Sequence, residues 1–255
     1  MGAFTEWMPK LGLKEAKDKR IIFKLLAEML GTMVLVFFSC GSAQNIESSV
    51  VRYSLTFGFT VATMAQAIGH VSGCHINPAV TIGLFVGRKI GLVPSVLYII
   101  AQCIGALIGA ALLLAIQVEN VTHVGDDAIP GITKLVPGLG VGQGILIEFV
   151  ITFVLIITVY AAAADEQNLV NGSAPLAIGL AITIGHLFAG PYTGPSMNPA
   201  RSFGPAVVGN NFENHWVYWI GPILGGIAGA LTYQLAFQAK NFKEGYLPPN
   251  DVEMK

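Results

Sequence analysis

Six apolar stretches follow one another along the chain, at about 25–43, 53–67, 94–116, 144–164, 174–189 and 216–237. A helix rises about 1.5 Å per residue, so roughly 20 residues cross a hydrocarbon core of about 30 Å. Most of these stretches have that length. Two further apolar stretches, 69–87 and 191–208, are interrupted by a Gly-rich turn and a repeated tripeptide, Asn77-Pro78-Ala79 and Asn198-Pro199-Ala200. Asn favours the N-cap, where its side-chain oxygen accepts from free backbone N–H groups. Pro favours the first helical position, where its missing N–H costs nothing. Each tripeptide therefore predicts a helix start. The helix after the first copy runs to about Gly87, before Arg88-Lys89. That is roughly 15 Å, half a membrane. The pattern predicts an all-α membrane protein with six transmembrane helices and two re-entrant half-helices.

The polar segments set the topology. Six spans and two half-spans put both termini on one side. With Arg88-Lys89, that side holds eleven of the fourteen Lys and Arg, including Lys10, Lys14, Lys17, Lys19, Arg20 and Lys24. Positive charge concentrates in the cytoplasm. The expected order is a cytoplasmic, solvated and partly helical arm at 1–24, a first channel repeat at 25–116, an extracellular loop at 117–143, a second repeat at 144–237 and a cytoplasmic tail at 238–255. The loop after the fourth span has no Lys or Arg and runs against this trend only locally. No cleavable leader is expected, and the first span serves as its own insertion signal.

Composition agrees. The chain is 53% hydrophobic and 11% charged, against roughly 25% charged in soluble domains. A net charge of −1 gives no reason to expect nucleic acid. Cys40, Cys74 and Cys103 make neither a disulfide framework nor a metal spacing. No cofactor is implied, and no nucleophile–base pair or phosphate loop points to an enzyme.

The two halves repeat. FGFTVATMAQAIGHVSGCHINPA from Phe57 lies without a gap over IGLAITIGHLFAGPYTGPSMNPA from Ile178, aligning Gly58 with Gly179 and Gly73 with Gly194. Glu28 precedes Asn77 by 49 residues and Glu148 precedes Asn198 by 50. Three spans per repeat invert one half against the other, so the half-helices enter from opposite faces and meet near the midplane. There the asparagine amides can donate to a passing water, while two helix N-termini, each with roughly half a positive charge, repel cations and hydrated protons. The site suits a neutral, hydrogen-bonding solute.

The paired tripeptides, the span pattern and NPARSFGPA from Asn198 resemble the major intrinsic proteins, or aquaporins, over about 24–237. Within that family the chain looks most like animal water-selective members, the insect type being the weaker likeness. The resemblance implies a plasma-membrane homotetramer with one water pore per subunit. It also implies a second constriction, carried by position to Phe57, His186, Arg201 and Pro195. Pro195 departs from the small or thiol residue frequent at that place. Ser202 and His186 stand where glycerol-conducting relatives tend to have Asp and a smaller residue, which favours water. Aquaglyceroporin-like conduction and a proton-coupled transporter are the alternatives.

Several residues keep two readings. Glu28 and Glu148 are either proton relays or acceptors for the free N–H groups of the re-entrant loops. His70 and His75 either line the vestibule or hydrogen-bond the loop. Cys74 is either pore-facing or a buried small residue. Asn120-Val-Thr122 in the long loop is a glycosylation candidate, whereas Asn171-Gly-Ser173 falls on the cytoplasmic side.

Overall fold

The computed structural model describes residues 11–43, 49–116, 129–165 and 172–238. Among these the fold is helical throughout. A short helix α1 (Leu13–Lys17) precedes α2 (Ile21–Leu35), which continues into a π-helical turn (Val36–Cys40). Then come α3 (Val50–Ser72), the half-helix α4 (Pro78–Val86) and α5 (Leu92–Ala115). The second half has α6 (Val141–Val159) with a π turn (Tyr160–Ala164), α7 (Ala174–Thr193), the half-helix α8 (Pro199–Val208), and α9 (Val217–Thr232) with a π turn (Tyr233–Phe237). Five of the long helices are both long and apolar enough to cross a membrane. The sixth, α3, has 23 residues but carries Arg52, Gln66 and His70.

Two helices outrun the lengths read from hydropathy. α3 continues past Ala67 to Ser72, where Gly73 closes it at φ 89°. α7 continues through Pro191 to Thr193, with Gly194 at φ 57° behind it. His70 and Pro191 stay exposed in these last turns, while the terminal Ser72 and Thr193 are buried. In the described part of the expected arm, α1 is largely exposed and rests on the start of α5, with Gly12 against Gly91 and Pro94 and the Gly91 N–H directed at Glu15 Oε2 at 3.5 Å.

The helices pair at repeat-related glycines. α3 crosses α7 where a Cβ on Gly58 would stand 2.5 Å from the Gly179 carbonyl, and the reverse holds. α2 lies on α5 and α6 on α9, small residues letting the backbones approach. The half-helices exchange partners. α4 packs on α9 and α8 packs on α5, so each rests on the last long helix of the other repeat. Outward faces carry large apolar side chains such as Phe23, Phe59, Leu146 and Phe188, as lipid contact requires.

Candidate functional site

The site begins with two helix caps. Asn77 Oδ1 accepts from the Ala79 N–H at 2.8 Å. Asn198 Oδ1 accepts from Ala200 at 3.0 Å and Arg201 at 3.2 Å. Their amide nitrogens cross between the repeats: Asn77 Nδ2 donates to the Met197 carbonyl and Asn198 Nδ2 to the Ile76 carbonyl, both at 2.8 Å. Each NH₂ has two hydrogens. One is used in the crossing, and both asparagines line a shared cavity of about 470 Å³.

These caps need unusual backbone. Cys74, Ile76 and Met197 have φ of 49°, 43° and 53°, a region costly for ordinary residues and most so for a β-branched one. Two buried carboxylates hold it. Glu28 Oε1 accepts from Ser72 Oγ (2.6 Å) and the His75 N–H (2.9 Å). Its Oε2 accepts from the Ile76 N–H (2.6 Å) and Gln102 Nε2 (2.8 Å). Glu148 Oε1 accepts from Thr193 Oγ1 (2.7 Å) and the Ser196 N–H (3.0 Å), and Oε2 from the Met197 N–H (2.8 Å). Neither glutamate lines the cavity.

Above the caps, Phe57, His186 and Arg201 meet. The Phe57 and His186 rings stack with centroids 4.1 Å apart, and the Arg201 guanidinium lies 4.8 Å from the Phe57 centroid. His186 Nδ1 is 2.9 Å from the Ile182 carbonyl. A carbonyl only accepts, so Nδ1 carries the proton and Nε2 of the neutral ring is an acceptor. Arg201 Nη1 donates to the Gly131 carbonyl. His186 Nε2 and Arg201 Nε are buried and find no partner among the described residues. The constriction therefore offers a donor and an acceptor to something small enough to pass.

From there the cavity runs past the asparagines along Val61, Val80, Leu84, Leu155 and Ile178 to Ala163, Ala164, Ala174 and Lys89. His75 and Cys74 line it. His75 Nδ1 also lies 3.2 Å from Thr81 Oγ1, so it combines both readings. His70 is exposed at the end of α3 and stands apart from the cavity. Pro195 is buried next to the second loop, and its neighbours Ser196 and Met197, rather than Pro195, line the cavity. Pro78, Ala79, Pro199 and Ala200 are the buried first turns of α4 and α8. Asn120 and Asn171 lie outside the described residues.

Sequence reasoning missed several supports. Gly131 gave only a Pro-Gly turn signal. Gln102, Ser72 and Thr193 gave none. The hydroxyls of Tyr98 and Tyr218 donate to the Ser72 and Thr193 carbonyls at 2.9 and 2.8 Å. Their matching places in the two repeats were a readable signal.

The profile of the major intrinsic proteins matches residues 15–233. The chain belongs to the major intrinsic protein family. Similar curated members include aquaporin-4 of Notomys alexis, 47% identical over 218 residues, covering 83% of this chain and 65% of the relative. Aquaporin-4 of Homo sapiens is 45% identical over 232 residues, 86% and 70% of the two chains. Aquaporin-1 of Mus musculus is 42% identical over 242 residues, 90% and 88%. The chain thus spans about two-thirds of the length of the aquaporin-4 relatives. The X-ray structure of the aquaglyceroporin from Plasmodium falciparum superposes with a TM-score of 0.75 at 23% identity, covering 85% of this chain and 96% of that one. At that identity the likeness speaks for the aquaporin fold alone. As a family member with these apolar helices, this is a multi-pass membrane protein.

Proposed function

We propose that this major intrinsic protein is a passive water-selective channel, driven by osmotic gradients and closed to ions and protons. The observation that carries the reading is one cavity bearing both the crossed asparagine caps and the Phe57–His186–Arg201 constriction. Water arriving at the constriction donates to His186 Nε2 and accepts from Arg201. At the asparagines its oxygen accepts the remaining amide hydrogens, beside two positive half-helix ends. A cation meets Arg201 and both termini with no acidic side chain among the described residues lining the cavity to offset them. That the similar proteins are aquaporins supports water as the permeant.

The same reading makes Glu28 and Glu148 loop anchors rather than a proton relay, because their oxygens already accept from seven donors. It makes the protein a channel and not an enzyme, in the plasma membrane with both termini cytoplasmic, assembled as a homotetramer with one pore per subunit.

Stopped-flow shrinkage of proteoliposomes, with sucrose and then glycerol as osmolyte, tests it. Fast shrinkage without glycerol re-swelling is expected. Rapid re-swelling would replace water selectivity with aquaglyceroporin-like conduction. Shrinkage no faster than in empty liposomes would overturn the open channel. Saturable, pH-driven flux lost in Glu148→Gln would favour the transporter.

A further inference from the structure

Arg201 is held from outside its own half-helix. Its Nη1 donates to the carbonyl of Gly131, 70 residues earlier in the segment between the repeats. That carbonyl is no better placed than the turn that carries it. Val136 N–H bonds the Tyr192 carbonyl at 2.8 Å, and Ile129 and Ile132 cover Gly209. At the turn itself the support is Cys40, the last residue of the π turn after α2. Gly131 has φ 82°. A Cβ built there would stand 2.8 Å from Cys40 Cα and 2.9 Å from its Sγ. Cys40 is fully buried, so it has no room to yield.

From this contact we propose that Cys40 is a positioning residue for pore selectivity: the volume of the side chain at 40 sets where the Gly131 carbonyl stands, and so how firmly Arg201 is held at the constriction. The inference rests on the reading of Arg201 as part of the filter. Cys40 does not itself line the cavity. It acts through the turn. A larger side chain pushes Gly131 away, Arg201 loses its carbonyl, and the guanidinium no longer narrows the pore at a fixed place. A side chain of equal or smaller size leaves the turn where it is.

The test is a graded series in proteoliposomes: Cys40→Ser, Cys40→Ala, Cys40→Val and Cys40→Leu, with Gly131→Ala and Arg201→Ala beside it. The readout is the ratio of glycerol to water permeability, which a loss of folded protein alone does not move. Ser and Ala should keep the wild-type ratio. Val and Leu should raise it progressively, with Leu and Gly131→Ala approaching Arg201→Ala. Losing a hydrogen bond to a charged group implies a change of at least about tenfold. If Cys40→Leu does not fold, Cys40→Val and Gly131→Ala carry the test. A ratio flat across the folded Cys40 series while Arg201→Ala raises it would overturn the role of Cys40 and leave the filter standing. A flat ratio in Arg201→Ala as well would overturn the filter reading itself.

Discussion

Ile76 and Met197 sit at positive φ one residue before the capping asparagines, so that their carbonyls point across the repeat boundary. Backbone of this kind persists only when the surroundings over-determine it. Glu28 and Glu148 do so by accepting from the N–H groups of those same residues. A glutamine there keeps one oxygen acceptor and gains a donor that faces other donors. Glu148→Gln and Glu28→Gln should each destabilise the folded protein by about 1–3 kcal/mol per donor left unpaired, read as a lower melting temperature in detergent. Glu28→Gln should cost more, since Glu28 takes four donors and Glu148 three. Of the residues that line the cavity, Asn77 and Asn198 were legible from the repeated tripeptide, whereas Phe57, His186 and Arg201 came with the family resemblance. The residues that point at other protein groups were not legible. Gln102 reads as an ordinary helix residue until its amide is seen bridging Glu28 and Thr81 Oγ1, at 2.8 and 3.0 Å.

Helix crossings decide what the pore-lining residues face. Phe57 on α3 and His186 on α7 can stack because α3 and α7 touch backbone to backbone at Gly58 and Gly179. Gly58→Ala drives a methyl into Thr183 Oγ1 and the Gly179 carbonyl. It should cost about 1–3 kcal/mol and lower the water rate per folded channel. Gly142→Ala, also helical but with nothing within 4 Å of its Cβ, should instead stabilise by about 0.4–1 kcal/mol. Both are read by thermal unfolding. The positions of these glycines were visible in the alignment of the halves. The exchange of half-helices between repeats was not, because hydropathy records which faces are apolar and not which apolar face they meet.

Across the whole molecule, most charged side chains lie outside the apolar spans, with Glu28, Glu148 and Arg201 as buried exceptions. His215, between α8 and α9, accepts from Trp219 Nε1 at 3.0 Å and lies beside the rings of Phe203 and Phe212. Burial pushes its pKa below the usual 6.5. The folded protein therefore declines a proton that the unfolded chain takes up as pH falls through 6.5, so this site should lower stability between pH 7 and pH 5. His215→Gln should flatten that part of the melting profile. The proposed topology makes a separate prediction: in glycosylating cells, an endoglycosidase-sensitive shift should disappear in Asn120→Gln and persist in Asn171→Gln. The two crossed asparagine bonds also bear on how the chain is made. Asn77 needs a carbonyl that lies 120 residues downstream, and at roughly 5–20 residues per second the ribosome delivers it some 6–24 s later. Until then the first loop has no mate, so the nascent first half waits at the translocon unfinished, and closure of both loops is a single late event.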